Sequence, residues 1–79
     1  MAKVTVYSTE SCPWCHKVKD FLKENNIEFE AKDVGEDEAA RNEMSEKSGQ
    51  MGVPVVDIDG EIIIGFDREK IVKKLDIKE

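Results

Sequence analysis

The sequence lacks several features that mark particular classes of protein. Its longest uninterrupted apolar run, at residues 62–64, has three residues, whereas a membrane-spanning helix needs about 20. Basic residues are outnumbered, with 12 Lys and Arg against 18 Asp and Glu, for a net charge of −6. Because contacts to phosphate groups need a surplus of Lys and Arg, this deficit argues against a nucleic-acid-binding protein. We therefore expect neither a membrane nor a nucleic acid among the partners of this chain.

The length of the chain and its N-terminal residues predict its domain content and its location in the cell. Its 79 residues predict a single domain over residues 1–79. The composition, 39% hydrophobic and 38% charged, is typical of a folded domain rather than a disordered chain. Residues 1–4 lead directly into a strand-like pattern without an apolar signal segment, so we expect a cytoplasmic protein.

Cysteine is scarce, and the spacing of the only pair, Cys12 and Cys15, limits what the pair can do. A disulfide between them closes a very small loop and would stabilise the fold little. The sequence from Cys12 to His16 also matches a haem-attachment pattern, but that chemistry requires export. A zinc site needs about four ligands, more than this segment supplies, so we predict no metal ligands. An iron–sulfur cluster shared between two chains stays an alternative, beside a redox-active pair.

The first half of the chain reads as strand, helix, strand. Residues 3–8 alternate and are rich in β-favouring types. Pro13 suits the first position of a helix, and Cys15, Val18 and Leu22 then form an apolar stripe that predicts a helix to Glu24. Alternation over residues 27–32 predicts a second strand.

The second half reads as helix, hairpin, helix. Acidic residues 36–38 favour the start of a helix that runs to about Ser48 and has a thin apolar face. Residues 55–58 and 61–64 flank Asp59-Gly60, a sequence typical of a two-residue hairpin turn. Asp67 is a plausible N-cap of the last helix. The order βαβ-α-ββ-α predicts an α/β fold with a four-stranded mixed sheet flanked by three helices.

The segment from Cys12 to Cys15 carries the chemistry. A C-x-x-C pair between a first strand and the following helix indicates thiol–disulfide exchange. With Pro13 at the first helical position, Cys12 becomes the N-cap, where backbone N–H groups and the helix dipole favour the thiolate. Cys15 lies one turn inside and should remain a thiol. We therefore predict Cys12 as the nucleophile and Cys15 as the resolving thiol.

These motifs together resemble the glutaredoxin family of the thioredoxin-like superfamily. The matching pieces are Cys12-Pro13-Trp14-Cys15, Ser48-Gly49 followed by Val53-Pro54, Asp59-Gly60, and Gly65-Phe66-Asp67. The resemblance implies a thioredoxin-like fold with Pro54 after a cis peptide bond. It also implies an electron-transfer role in cell redox balance, with glutathione as co-substrate and no tightly bound cofactor.

The resemblance further implies a set of substrate-binding residues. The backbone of Val53, beside Pro54, would pair with the cysteine unit of glutathione or of a peptide. Asp67, with Phe66 and Arg68 beside it, would meet the γ-glutamyl end. Trp14 would pack on the ligand, and Gln50 lies near a position that contacts the glycine carboxylate.

Departures from the family pattern open an alternative for the electron donor. The family commonly has Lys three residues before the first cysteine, where this chain has Thr9, and Thr-Val-Pro where this chain has Gly52-Val53-Pro54. Short glutaredoxin-like redoxins instead draw electrons from thioredoxin reductase and reduce enzymes such as ribonucleotide reductase. We expect a monomer whose partners are glutathione or thioredoxin reductase, together with disulfide-containing proteins.

Overall fold

The computed structural model describes residues 3–50 and 52–76. Residues 1 and 2, part of the N-terminal stretch that we interpreted as lacking a signal segment, lie outside the described residues. The elements follow the predicted order: β1 (Val4–Ser8), α1 (Pro13–Glu24), β2 (Glu30–Asp33), α2 (Glu38–Ser48), β3 (Val55–Ile58), β4 (Glu61–Ile64) and α3 (Arg68–Leu75). Within the described ranges, no helix is long and apolar enough to cross a membrane.

The four strands form one mixed sheet in the order β2-β1-β3-β4. Strands β1 and β2 are parallel and are joined through α1, as a βαβ crossover requires. Strand β3 runs antiparallel to β1 and to β4. The predicted fold class, a thioredoxin-like α/β fold with three helices around a four-stranded sheet, is confirmed.

The predicted start of the second strand was wrong by three residues, whereas the second helix starts within its predicted acidic segment. The second strand begins at Glu30 rather than at residue 27, because the Ile27 N–H donates to the Leu22 carbonyl oxygen (2.9 Å) and closes the end of α1. Ile27 and Phe29 still pack against the core, which explains their alternation without a strand. Helix α2 begins at Glu38, because Asp37 is its N-cap and accepts the Ala40 N–H at 3.1 Å.

The sheet has two differently built faces, named here after the helices that cover them. The α1–α3 face is an apolar cluster of nine buried residues: Val4, Val6, Val18, Phe21, Leu22, Val56, Ile58, Ile63 and Ile71. The α2 face is a smaller cluster: Tyr7, Val34, Ala40, Met44 and Val55. Neighbouring strand residues, such as Val6 and Tyr7, fall on opposite faces, as the two-residue period of a strand requires.

A polar network completes the α2 face. The Tyr7 hydroxyl donates to Glu43 Oε1 (2.6 Å), and Lys32 Nζ lies 3.2 Å from Glu43 Oε2. Lys47 Nζ joins Glu43 (3.2 Å) to Asp57 (2.8 Å). The hydrogen bonds from Tyr7 and Lys32 lower the pKa of Glu43 to about 2. Burial, reinforced by the bond to Glu43, raises the pKa of Tyr7 to about 12. The network ties α2 to three strands.

The topology brings three loops, those before α1, β3 and α3, to the same end of the sheet. The last residues of β1 pair with the first of β3, in the register Tyr7 with Val55, and Val55 pairs with Ile64 at the end of β4. The Gly65 N–H then donates to the Pro54 carbonyl oxygen at 2.8 Å. The loops before α1, β3 and α3 therefore meet at this end of the sheet.

Candidate active site

Cys12 occupies the N-cap position of α1. Its backbone is extended (φ −94°, ψ 108°), Pro13 follows at the start of the helix, and Cys12 Sγ accepts the Cys15 N–H at 3.2 Å. The proline is tolerated because the first N–H groups of a helix have no partner within it. The structure thus places the sulfur of Cys12 against the positive end of α1, as the sequence predicts.

The two cysteines have different environments. Cys12 is half-buried, whereas Cys15 is 0% exposed, and both are free thiols. Burial, followed by the hydrogen bond with Cys12, raises the pKa of Cys15 to about 11. Cys15 therefore remains a thiol near neutral pH, while the accessible sulfur belongs to Cys12.

Trp14 lies between the cysteines and faces solvent. It is 57% exposed, and Lys17 Nζ lies 4.5 Å from its ring centroid, a distance at which a cation is attracted to an aromatic face. His16 is exposed too, and its Nε2 lies 2.9 Å from the Glu10 carbonyl oxygen. The exposed Trp14 ring is available to contact a ligand at Cys12.

The loop before β3 contains a cis peptide bond between Val53 and Pro54, as the family resemblance implies. Pro54 is buried and Val53 is half-buried. Because β3 begins beside the end of β1, this loop and the loop that carries Cys12 lie at the same end of the sheet. The structure thus places the predicted substrate-pairing residues at the same end as the cysteines.

Gln50 makes contacts that the sequence pattern does not predict. Its Oε1 accepts the Gly52 N–H at 2.5 Å, and its Nε2 donates to the Gly52 carbonyl oxygen at 3.0 Å. The amide thus binds the loop that leads to Val53. Contact between Gln50 and the glycine carboxylate of glutathione stays a prediction.

Asp67 caps α3 as predicted. Its Oδ1 accepts the Lys70 N–H at 3.2 Å, and its Oδ2 lies 3.9 Å from Lys70 Nζ. Phe66 and Arg68, on either side, pack on Phe21 of α1, with ring centroids 5.7 Å apart for Phe66 and Arg68 Cζ 5.6 Å from the Phe21 ring. They line a groove of about 600 Å³ together with Lys17, Asp20, Phe21, Glu24 and Asn25.

A second, acidic groove of about 340 Å³ adjoins the loop before Cys12. Its lining residues are Thr9, Glu10, Ser11, Asp33, Gly35 and Glu36. The family's Lys would occupy the position of Thr9, so a neutral side chain stands where a cation is common, in a groove that Glu10, Asp33 and Glu36 also line. Over residues 3–50 and 52–76, no group of three His, Cys, Asp or Glu side chains could hold a metal ion.

Comparison with known proteins agrees with this geometry. The Glutaredoxin family model matches residues 4–63. An uncharacterised glutaredoxin-like 8.6 kDa protein of the rubredoxin operon of Clostridium pasteurianum is 47% identical over 73 residues, covering 92% of this chain and 97% of the relative. Glutaredoxin 3 of Escherichia coli K12 is 37% identical over 67 residues, covering 85% of this chain and 81% of the relative.

The fold is also similar to that of a solved structure. The crystal structure of a mutant of the thioredoxin-like protein BC3987 superposes with a TM-score of 0.92 at 44% identity, covering 99% of this chain and 100% of that one. The sequence match, the shared architecture and the C-x-x-C pair at the start of α1 lead to one conclusion: the chain is a thioredoxin-fold redox protein that belongs to the glutaredoxin family.

Proposed function

We propose that this protein is a dithiol oxidoreductase that reduces protein disulfides or glutathione mixed disulfides. The observation that carries the proposal is the asymmetry of the pair, in which Cys12 Sγ accepts the Cys15 N–H at 3.2 Å while burial raises the pKa of Cys15 to about 11. The sulfur of Cys12 is half-buried at the start of α1 and accepts a helix N–H, whereas the sulfur of Cys15 is buried as a thiol.

In the first step, the Cys12 thiolate attacks one sulfur of the substrate disulfide. A bond forms between Cys12 Sγ and that sulfur, the substrate S–S bond breaks, and the departing substrate thiolate takes up a proton. The exposed ring of Trp14 would cover one side of the incoming group, and the backbone of Val53 would pair with its cysteine unit.

In the second step, Cys15 loses its proton and attacks Cys12 Sγ. The Cys12–Cys15 disulfide forms, the mixed disulfide breaks, and the second substrate sulfur leaves as a thiol. The substrate has then gained two electrons and the enzyme has lost two. Burial raises the pKa of Cys15 most, and the hydrogen bond with Cys12 and a negative charge on Cys12 raise it further. The mixed disulfide removes that charge, so the first step makes Cys15 easier to deprotonate for the second.

Two electron donors are compatible with this cycle. With glutathione, Asp67 and the N–H groups at the start of α3 would bind the γ-glutamyl end, as the resemblance implies. The acidic groove beside Cys12 would repel the glycine carboxylate, however. This specific observation favours the second candidate, a redoxin reduced by thioredoxin reductase that supplies electrons to enzymes such as ribonucleotide reductase. We place either activity in the cytoplasm and on a monomer.

One coupled assay separates the two donors. The oxidised protein is given either glutathione with glutathione reductase or thioredoxin reductase, each with NADPH, and NADPH consumption is followed with a disulfide substrate. We expect turnover in at least one arm, and Cys12→Ser is the control for background. Fast turnover in the thioredoxin reductase arm alone would overturn the glutathione-dependent form, and no turnover in either arm would contradict the oxidoreductase proposal.

The iron–sulfur alternative has its own test. Four thiolates from two chains could hold a cluster, so protein purified without oxygen would be coloured and would contain stoichiometric iron. A colourless protein that is active as a monomer would count against that alternative.

A further inference from the structure

The side chain of Gln50 forms a two-point clasp on the peptide groups of Gly52. Its carbonyl oxygen accepts the Gly52 N–H at 2.5 Å and its amide nitrogen donates to the Gly52 carbonyl oxygen at 3.0 Å. The side-chain amide of Gln50 thereby binds both the N–H and the carbonyl oxygen of Gly52. The next residue along the chain, Val53, is the one whose backbone would pair with substrate.

The clasp explains why a glycine stands where the family commonly has threonine. A Cβ at Gly52 would lie 2.6 Å from Gln50 Oε1, closer than real Cβ contacts allow. The backbone of Gly52 is not among the described glycines with positive φ, so its conformation is open to other residues. A side chain at this position therefore fits only when the Gln50 amide moves away and the clasp opens.

The clasp is anchored on the end of α2. Ser48 Oγ lies 2.7 Å from the Met44 carbonyl oxygen and accepts the Gln50 N–H at 3.4 Å. One residue earlier, Lys47 binds Asp57 of β3 at 2.8 Å. The loop between α2 and β3 is thus held at its α2 end by side chains, not by backbone packing alone.

We propose that Gln50 is a positioning residue for substrate: its clasp fixes the Gly52 peptide groups and so holds the Val53 backbone where a disulfide-bearing peptide pairs beside Cys12. The inference rests on the proposed oxidoreductase function and deepens it. It gives Gln50 a role other than ligand contact, because both ends of its amide are already engaged. The effect of Gln50 is exerted through Val53 and not on the reacting sulfurs.

The experiment compares Gln50→Ala with Asn42→Ala, which removes an exposed amide from α2 and serves as the matched control. The first readout is kcat/KM for a disulfide-linked peptide, with a chemical dithiol as reductant. The second is the rate at which iodoacetamide alkylates Cys12, a reaction that needs no pairing with Val53. For Gln50→Ala we expect kcat/KM to fall about tenfold, mainly through KM, from the loss of two hydrogen bonds. Alkylation should be unchanged, and Asn42→Ala should match the parent in both readouts.

A double-mutant cycle tests the clasp directly. Gly52→Ala alone should lower kcat/KM by a similar factor, because its methyl group displaces Gln50 Oε1. In the Gln50→Ala background the same Gly52→Ala change should have little further effect, since the clash partner is gone. Additive losses would overturn the clasp as the cause. Equal losses of peptide reduction and of alkylation in Gln50→Ala would also overturn the proposal, because they indicate damage at Cys12 or to the fold.

A readout independent of activity separates this inference from the proposed function. Hydrogen exchange of the Gly52 amide, whose N–H donates to Gln50 Oε1, should be faster in Gln50→Ala than in the parent and in Asn42→Ala. If the parent reduces no disulfide, the oxidoreductase proposal fails, but faster Gly52 exchange would still support the positioning. Unchanged exchange would overturn it whatever the activity.

Discussion

The two faces of the sheet are built from different interactions. On the α1–α3 face, nine buried residues form a continuous apolar cluster. The N-cap of each helix on that face is a predicted site residue, Cys12 for α1 and Asp67 for α3. On the α2 face the cluster is smaller, and ion pairs of Glu43 and Lys47 complete the packing. Apolar packing therefore positions the N-termini of α1 and α3, where Cys12 and Asp67 lie. The polar network instead fixes α2, and the end of that helix holds the loop before β3.

The comparison predicts that the largest loss of stability comes from the α1–α3 face. Leu22 is 0% exposed in the apolar cluster, so Leu22→Ala removes buried methyl groups and leaves a cavity. We expect the free energy of unfolding to fall by about 3 kcal/mol, measured by denaturant titration. Lys23→Ala, at the exposed neighbouring position, is the control and should change it by less than about 0.5 kcal/mol. A similar small change for Leu22→Ala would contradict the role of this face.

Removing either of two helix caps should have an intermediate effect on the free energy of unfolding, and the two variants can be compared directly. Asp67 caps α3 and Asp37 caps α2, each through one N–H bond, so either change to Ala should lower the free energy of unfolding by about 1 kcal/mol. Only Asp67→Ala should also raise KM for a glutathione mixed disulfide, because we assign only Asp67 to the proposed site for the γ-glutamyl end. Equal kinetics for the two variants would remove Asp67 from the binding site and leave it a structural cap.

The smallest effect is expected from the α2 face, and it should depend on pH. Because the folded state lowers the pKa of Glu43 from 4.5 to about 2, its stabilising contribution is present above about pH 4.5 and is lost as pH falls towards 2. Its ion pairs are partly exposed, so Glu43→Gln should lower the free energy of unfolding by only about 0.5 kcal/mol at pH 7. The difference from the parent should vanish near pH 2, whereas Glu46→Gln, an exposed control on the same helix, should show no such trend. A cost of Glu43→Gln that stays constant with pH would show that the charge of Glu43 is not its source.

The same contrast explains what the sequence could and could not predict. The apolar stripe of Val18 and Leu22 and the cap at Cys12 are local patterns, and they predict α1 and its N-cap correctly. The role of Cys12 as nucleophile stays a prediction. The contact of Tyr7 with Glu43 joins residues 36 positions apart, and no local pattern indicates that pairing. The alternation at Ile27 and Phe29 reflects core contacts outside a strand. The clasp of Gln50 on Gly52 is local, but it depends on a side-chain orientation that residue types alone do not specify.

The most direct test of the account is to trap its covalent intermediate. Cys15→Ser and Cys12→Ser are each mixed with a disulfide-linked peptide, and the products are analysed by intact-mass spectrometry and peptide mapping. We predict that Cys15→Ser retains one peptide, bound through Cys12, and that Cys12→Ser retains none and turns over no substrate, because the buried thiol of Cys15 cannot attack. Capture of the peptide on Cys15, or full activity of Cys12→Ser, would contradict the assignment of Cys12 as nucleophile and Cys15 as resolving thiol.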